Sequence, residues 1–151
     1  MSWCWRRSAL ALGVLLAAAA PCRAQRRSEL QVWGVAVASK PAFYGAGLGF
    51  ALRDEDRLRL TIAAAPGAYG DGSFGARADA TLQFLLNPTK RAGAAVYGGG
   101  GLSLAAERGH ATPYILLVLG VEHAPGGPRG SFAEVGVGGG VRVAVGYRWR
   151  K

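Results

Sequence analysis

Large apolar residues alternate with charged or very small residues along the last stretch of the chain. Taken every second residue, one face of this stretch is wholly apolar: Val141, Val143, Val145, Tyr147, Trp149. The intervening positions carry two arginines, an alanine and a glycine. A repeat of two residues is that of a β-strand, whereas a helix repeats every 3.6 residues. The pattern therefore predicts a final strand with one apolar and one polar face.

The same alternation recurs upstream, interrupted by turn-forming segments such as residues 54–56 and 87–90. Longer loops are predicted at residues 66–72 and 123–130, which are rich in Gly and Pro. Eight strands are predicted, at residues 30–39, 42–53, 57–65, 73–86, 91–106, 112–122, 131–137 and 141–149. They are 7 to 16 residues long, which brackets the 9–11 residues that a tilted strand needs to cross the hydrocarbon layer of a membrane.

The first predicted strand leaves its faces ambiguous. Trp33, Val35 and Val37 lie on one face, and the small residues Gly34 and Ala36 lie on the other. Large apolar residues belong on the apolar face of the other strands. We therefore expect Trp33, Val35 and Val37 to point outward.

Across the chain, one face is almost entirely apolar and the other is polar or small. The polar face carries Arg57, Arg59, Arg77, Asp79, Thr81, Gln83, Glu122, Glu134, Arg142 and Arg148, padded with glycine and alanine. A soluble, lipocalin-like barrel would need many lysines and glutamates on its outer surface. In a membrane barrel the apolar face meets lipid and the polar face lines a narrow lumen. The sequence thus predicts an all-β, up-and-down antiparallel transmembrane β-barrel of eight strands, with the soluble barrel as the alternative.

Glycine is frequent on the polar face, notably in Gly45, Gly47 and Gly49 and in residues 98–101. Neither cluster fits the G-x-G-x-x-G pattern of a nucleotide-binding loop, and neither leads into a helix. We interpret these glycines as inward positions that leave room for arginine side chains.

Residues 1–24 have the three-part pattern of a secretory signal peptide. The basic residues Arg6 and Arg7 precede an apolar run at residues 8–20, and residues 21–24 end in Ala24. The apolar run is too short to span a bilayer, which disfavours the alternative of an anchoring helix. A lipoprotein modified at Cys22 is disfavoured by the preceding proline. The predicted division is a cleaved signal peptide at residues 1–24 and a barrel domain at residues 25–151.

Cleavage would remove Cys4 and Cys22, the only cysteines, and with them any disulfide or thiol chemistry. Loss of Arg6, Arg7 and Arg23 lowers the 18 Lys and Arg to 15 against nine acidic residues, for a net charge of about +6. Such a charge invites a nucleic-acid interpretation. The arginines alternate with apolar residues instead of forming one patch, however, so we expect no nucleic-acid partner. Outer-membrane lipids or lipopolysaccharide are the partners that we expect to balance the positive charge.

No group of residues predicts catalysis, a cofactor or a metal site. His110 and His123 lie at strand ends, and Glu122 beside His123 points to the opposite face of its strand. No cluster has metal-ligand spacing. We therefore expect a protein that is not an enzyme and has no cofactor.

The strand pattern over residues 30–149 and the terminal strand with Tyr147 and Trp149 resemble the small outer-membrane β-barrels of the OmpA membrane-domain and OmpX type. The resemblance implies a monomer in the outer membrane of a Gram-negative-type bacterium. It also implies that Tyr147 and Trp149 lie at the membrane interface and are read by the barrel-assembly machinery. The chain departs from the pattern by ending in Arg150 and Lys151 after the last aromatic residue.

The lumen is predicted to hold a structural charge network, formed by Arg57, Arg59, Arg77, Asp79, Glu122, Glu134, Arg142 and Arg148. Within it, Arg142 is expected to reach Glu134 if Val137 pairs with Val141 in the last hairpin. A lumen filled by paired charges favours a structural, anchoring or interaction role. A narrow pore or solute-binding barrel and a lipid-modifying barrel enzyme are the alternatives.

Overall fold

The computed structural model describes residues 27–54, 57–87 and 92–151. Its eight strands are β1 (Arg27–Ala38), β2 (Phe43–Arg53), β3 (Leu58–Tyr69), β4 (Phe74–Leu85), β5 (Ala94–Glu107), β6 (His110–His123), β7 (Arg129–Val137) and β8 (Val141–Arg150). Each strand pairs with the next in antiparallel fashion, and β1 pairs with β8, so the sheet closes into a barrel. The predicted eight-stranded, up-and-down, all-β barrel is confirmed. The predicted signal peptide lies outside the described residues.

The two ends of the barrel differ in what they carry. The terminal end holds residue 27, residue 150, the ends of β2 and β4 at Arg53 and Leu85, and the connection at residues 124–128. The opposite end, called the distal end below, holds four turns, at residues 39–42, 70–73, 108–109 and 138–140. Within the described part of the chain, no helix is long and apolar enough to cross a membrane.

The outer surface of the barrel is an apolar belt. Side chains on it include Leu48, Phe50, Ile62, Leu82, Leu102, Ile115, Leu117, Leu119, Val135, Val143 and Val145, all exposed. Exposed aromatic residues lie toward both ends of the barrel, Tyr44 and Phe74 toward the distal end and Phe84, Tyr147 and Trp149 toward the terminal end. An apolar band flanked by aromatic residues is the outer surface of a membrane barrel.

The faces of β1 are opposite to the prediction. Trp33, Val35 and Val37 are buried inside the barrel, whereas Leu30 and Val32 are exposed on its outer surface. The reason lies in the residues before them, because Glu29 and Gln31 share the parity of Trp33 and are also buried. Placing Trp33 in lipid would have placed the Glu29 carboxylate there as well, at a large cost in free energy.

The end of β3 also differs from the prediction, which assigned residues 66–72 to a loop. The strand runs through Pro66 and Gly67 to Tyr69. Gly67 lies opposite Gly45 on one side and Gly75 on the other. A Cβ at Gly67 would be 2.2 Å from the Tyr44 carbonyl oxygen, so glycine permits this close approach of neighbouring strands.

Close backbone approach likewise explains several glycines that we interpreted as space for arginines. A Cβ at Gly99 would be 2.3 Å from the Leu82 carbonyl oxygen, and one at Gly101 would be 1.9 Å from that of Ala80. The clashes are with the backbone of β4, which cannot move aside as a side chain can. These glycines permit the close approach of the β4 and β5 backbones, a role that our interpretation of them as space for arginines missed.

Candidate functional site: the charged barrel interior

A buried cluster of two glutamates and four arginines fills the terminal end of the lumen. The terminal cluster consists of Glu29, Arg53, Arg59, Glu122, Arg148 and Arg150. Both glutamates are completely buried. Arg59 Nη1 lies 2.9 Å from Glu122 Oε2, and Arg53 Nη1 lies 3.1 Å from Glu122 Oε1. Arg150 Nε lies 2.6 Å from Glu29 Oε1. Each carboxylate therefore serves several guanidinium groups at once.

Aromatic rings complete the surroundings of this cluster. The guanidinium carbon of Arg59 is 4.4 Å from the centre of the Tyr97 ring, and that of Arg148 is 4.7 Å from the Phe132 ring. Cations are attracted to the faces of aromatic rings, most strongly where water is excluded. The rings of β5 and β7 thus offset part of the cluster's excess positive charge, which is four arginines against two glutamates.

A second group of charges lies in the middle of the barrel and joins four strands. Glu134 accepts hydrogen bonds from the Tyr97 hydroxyl at 2.8 Å and from Gln83 Nε2 at 3.3 Å. Arg142 Nη1 lies 3.3 Å from Glu134 Oε2, and its Nη2 lies 3.2 Å from Asp79 Oδ2. The single guanidinium therefore links the carboxylates of β4 and β7.

The register of the last hairpin is the predicted one. Val137 pairs with Val141, and Gly136 lies opposite Arg142. This arrangement brings the two charges into contact across one diagonal of the hairpin.

Replacing Glu134 with glutamine should destabilise the barrel by roughly 1–3 kcal/mol, more than the 0–1 kcal/mol of an exposed ion pair. The substitution leaves Arg142 with Asp79 alone, in a space with room for about one water molecule. Urea unfolding of the barrel refolded into lipid vesicles measures the change in the free energy of unfolding.

The double variant Glu134→Gln with Arg142→Gln should recover part of that loss, since it removes both members of the pair. The coupling energy follows from the cycle formed by the two single variants and the double variant. Simple additivity of the single losses would contradict the contact described above.

Arg77, in β4, lies toward the distal end of the lumen in a different setting. Arg77 is only 4% exposed, and its Nη2 donates a hydrogen bond to the Gly138 carbonyl oxygen at 2.8 Å. Its guanidinium lies 5.9 Å from the ring centres of both Phe43 and Tyr114. In the described part of the chain no carboxylate lies within 4 Å of it.

Seven of the eight residues that the sequence assigns to the lumen are buried inside the barrel: Arg59, Arg77, Asp79, Glu122, Glu134, Arg142, Arg148. Arg57 is the exception, because it is exposed in the connection that precedes β3. It has the inward parity of Arg59 but lies beyond the rim, where water solvates its charge. The assignment of Arg57 to the lumen was therefore wrong.

Three members of the terminal cluster escaped the sequence-based assignment: Glu29, Arg53 and Arg150. Glu29 precedes the predicted first strand at residues 30–39, and Arg150 follows the predicted last strand as a departure from the family pattern. Arg150 is separated from Arg142 and Arg148 by an even number of positions, so it faces the lumen as they do. This alternation is the sequence signal that could have identified it. Its Nη1 also donates to the carbonyl oxygens of Pro125 and Gly127, at 2.8 Å each.

A small cavity lies in the centre of the lumen. Its volume is about 20 Å³, and it is bounded by residues that include Trp33, Phe132 and Arg142. That volume is close to the minimum needed by one water molecule. Among the described residues, no group of three or more His, Cys, Asp and Glu could hold a metal ion, and His110 and His123 are exposed.

Comparison with known proteins places this geometry among membrane barrels. No family model and no curated protein matches the sequence. The N-terminal β-barrel domain of Pseudomonas aeruginosa OprF is similar in structure, with a TM-score of 0.65 and 14% identity, over 84% of this chain and 98% of that one. Neisserial surface protein A has a TM-score of 0.58 and 14% identity, over 82% and 96%. The Yersinia pestis outer membrane protein Ail has a TM-score of 0.52 and 11% identity, over 84% and 100%. At the level of the fold, these likenesses confirm the resemblance to small eight-stranded outer-membrane barrels.

Proposed function

We propose that this chain, which has the fold of the small eight-stranded outer-membrane barrels, resides in the outer membrane of a Gram-negative-type bacterium as a closed structural barrel with an anchoring or interaction role. One observation carries the proposal, namely that the barrel is apolar outside and charged inside. The exposed fraction of Ile115 is 76%, whereas Glu122 is completely buried. In water this distribution would expose a continuous apolar surface and bury charges, and soluble proteins avoid both.

The filled lumen supports a structural role over a pore. The terminal cluster occupies one end, and the charges around Glu134 occupy the middle, beside a cavity of about 20 Å³. The distal turns are two to four residues long, so they offer no large recognition surface. We propose that the lumen charges stabilise the barrel, that membrane lipids or lipopolysaccharide surround it, and that Tyr147 and Trp149 serve both as interface anchors and as the assembly signal.

The expressed protein should fractionate with outer membranes. Unboiled, it should migrate on a denaturing gel at a position different from that of the boiled sample, because the closed barrel resists the detergent until heated. Recovery from the soluble periplasmic fraction, with no shift on heating, would overturn the proposal in favour of a soluble barrel.

Planar-bilayer recordings separate the structural barrel from the pore. The wild-type barrel should give no steady single-channel conductance, since paired side chains obstruct its lumen. The variant Glu134→Gln with Arg142→Gln is the control for leakage through a weakened interior. A steady conductance from the wild-type barrel would replace the structural role with that of a narrow pore.

A further inference from the structure

A polar pocket opens at the distal end of the lumen, on the far side from the terminal cluster. Its volume is about 310 Å³, and its lining includes Lys40, Arg77, Glu107, Arg108, Tyr114 and Gly139. The basic residues outnumber the acidic ones in this lining. The pocket therefore has the charge of an anion-binding site.

Two of its cations make no ion pair within 4 Å among the described residues. Arg77 is almost fully buried, and its Nε, which has no exposed surface, lacks a hydrogen-bond acceptor. Lys40 is exposed at the rim with no carboxylate within 4 Å among the residues described. A buried donor without an acceptor is costly, and a charged one more so. Because Arg77 and Lys40 both line the pocket, an oxyanion bound there would balance their positive charge.

Arg108 is a cation of the same pocket whose charge is already matched. Its Nη2 lies 2.7 Å from Asp71 Oδ2, and its Nε lies 3.8 Å from Glu107 Oε1. Hydrogen bonds from the Ser73 backbone N–H and hydroxyl hold the pKa of Asp71 below its usual value, so this partner stays ionised. The free positive charge of the pocket is thus concentrated at Arg77 and Lys40.

The barrel wall beside this pocket is incomplete. Residues 117–122 of β6 pair with β7, but β6 begins at His110, so its first half pairs with β5 alone. The turn between β7 and β8 lies next to the half of β6 that has no partner in β7. An apolar groove of about 580 Å³ runs along the outer surface there, lined by Ala38, Ile115, Leu117, Val137, Val141 and Gly138 to Gly140.

The polar pocket and the apolar groove meet at Gly139, which lines both. A Cβ at Gly139 would be 2.7 Å from the Tyr114 ring, and its φ of +68° also favours glycine. The wall is therefore thin where a polar space inside the barrel adjoins an apolar space outside it. An amphipathic molecule could occupy both spaces at once.

We infer that this paired site binds one membrane lipid whose headgroup carries a phosphate or carboxylate. The oxyanion contacts Arg77 and Lys40, and an acyl chain lies in the groove against Ile115 and Val137. The inference rests on the proposed membrane location, since the short distal turns hold the pocket at headgroup level. A free anion would fill the pocket but leave the groove empty.

The test uses the full barrel refolded in a neutral detergent, with native mass spectrometry to count bound lipids. Phosphatidylglycerol should bind one molecule per barrel at least about tenfold more tightly than phosphatidylcholine with the same chains. Each variant is first checked for the heat-dependent gel shift, so a folding failure is recognised separately from a loss of binding. Fractionation, which tests the membrane location, is measured independently.

Charge variants test the headgroup half of the site. Arg77→Gln should weaken phosphatidylglycerol binding about tenfold or more, and Lys40→Gln roughly threefold, because each removes a charged donor. Arg57→Gln is the matched control, since it removes the same charge from the exposed terminal end. If Arg77→Gln does not fold, Lys40→Gln alone decides. Equal losses in Lys40→Gln and Arg57→Gln would overturn the inference, because attraction would then be general.

Groove variants and inorganic phosphate separate a lipid from a free anion. Ile115→Gln should weaken phosphatidylglycerol binding, whereas Ile62→Gln, at an exposed apolar position on β3, should leave it unchanged. Inorganic phosphate should compete only weakly, because it gains nothing from the groove. If phosphate alone binds as tightly as the lipid and Ile115→Gln has no effect, the site is one for a free anion and the lipid assignment fails.

Discussion

Replacing Glu122 with glutamine should lower the free energy of unfolding of the barrel by about 3–5 kcal/mol, the cost of breaking a buried ion pair from one side. Glu122 contacts all four arginines of the terminal cluster. After the substitution, Glu29 alone would face four buried cations. Urea unfolding in lipid vesicles at neutral pH measures the loss.

Glu107→Gln is the matched control for this prediction. Glu107 lies at the distal rim, where its side chain is 27% exposed and its nearest cation is 3.8 Å away. The same loss of charge should cost less than about 1 kcal/mol there. Adding Arg53→Gln to Glu122→Gln should restore part of the stability, since it removes one unmatched cation. Equal small losses for Glu122→Gln and Glu107→Gln would show that the terminal cluster does not hold the barrel together.

Placing an arginine in the middle of the apolar belt should cost about 2–4 kcal/mol, the penalty for this residue at the centre of a bilayer. Leu82→Arg and Leu117→Arg test this on the two strands that flank β5, where both residues lie opposite Gly100. Both leucines are exposed on the outer surface. Unfolding in vesicles of defined thickness gives the change.

Leu86→Arg is the control for depth. It makes the same exchange at an exposed position just beyond the end of β4, near the terminal rim. There the arginine reaches the headgroups, so the cost should fall to about 0–1 kcal/mol. A cost at Leu86 equal to that at Leu82 would mean that the belt does not sit in a bilayer as proposed.

The sequence was sufficient for the number of strands and for most of their faces. A strand that faces lipid on one side and a charged lumen on the other must alternate apolar with polar residues. Leu58 and Arg59 are an example of this alternation. The signal weakens where both faces are apolar, as in β1, and there Trp33 was assigned to the wrong side. The parity of Glu29 would have corrected the assignment, because a carboxylate cannot face lipid.

Height along the barrel axis could not be read from the sequence. Periodicity states which side of the sheet a residue faces, but Arg57 and Arg59 share a side and only Arg59 reaches the interior. Contacts across the lumen depend on the stagger between strands, which is a property of the closed barrel. Arg59 and Glu122 are 63 positions apart, and nothing local indicates that they meet. By contrast, Glu134 and Arg142 share one hairpin, and their contact was predictable.

The pairing of β1 with β8 also brings together charges that can meet only in the closed barrel. Glu29 lies opposite Arg150, 121 positions away, so these two charges meet only when the final strand stands beside the first. An unclosed sheet would leave carboxylate and guanidinium groups unmatched at its two free margins. Pairing of β1 with β8 and pairing of these charges therefore occur together, so the barrel should fold and unfold cooperatively.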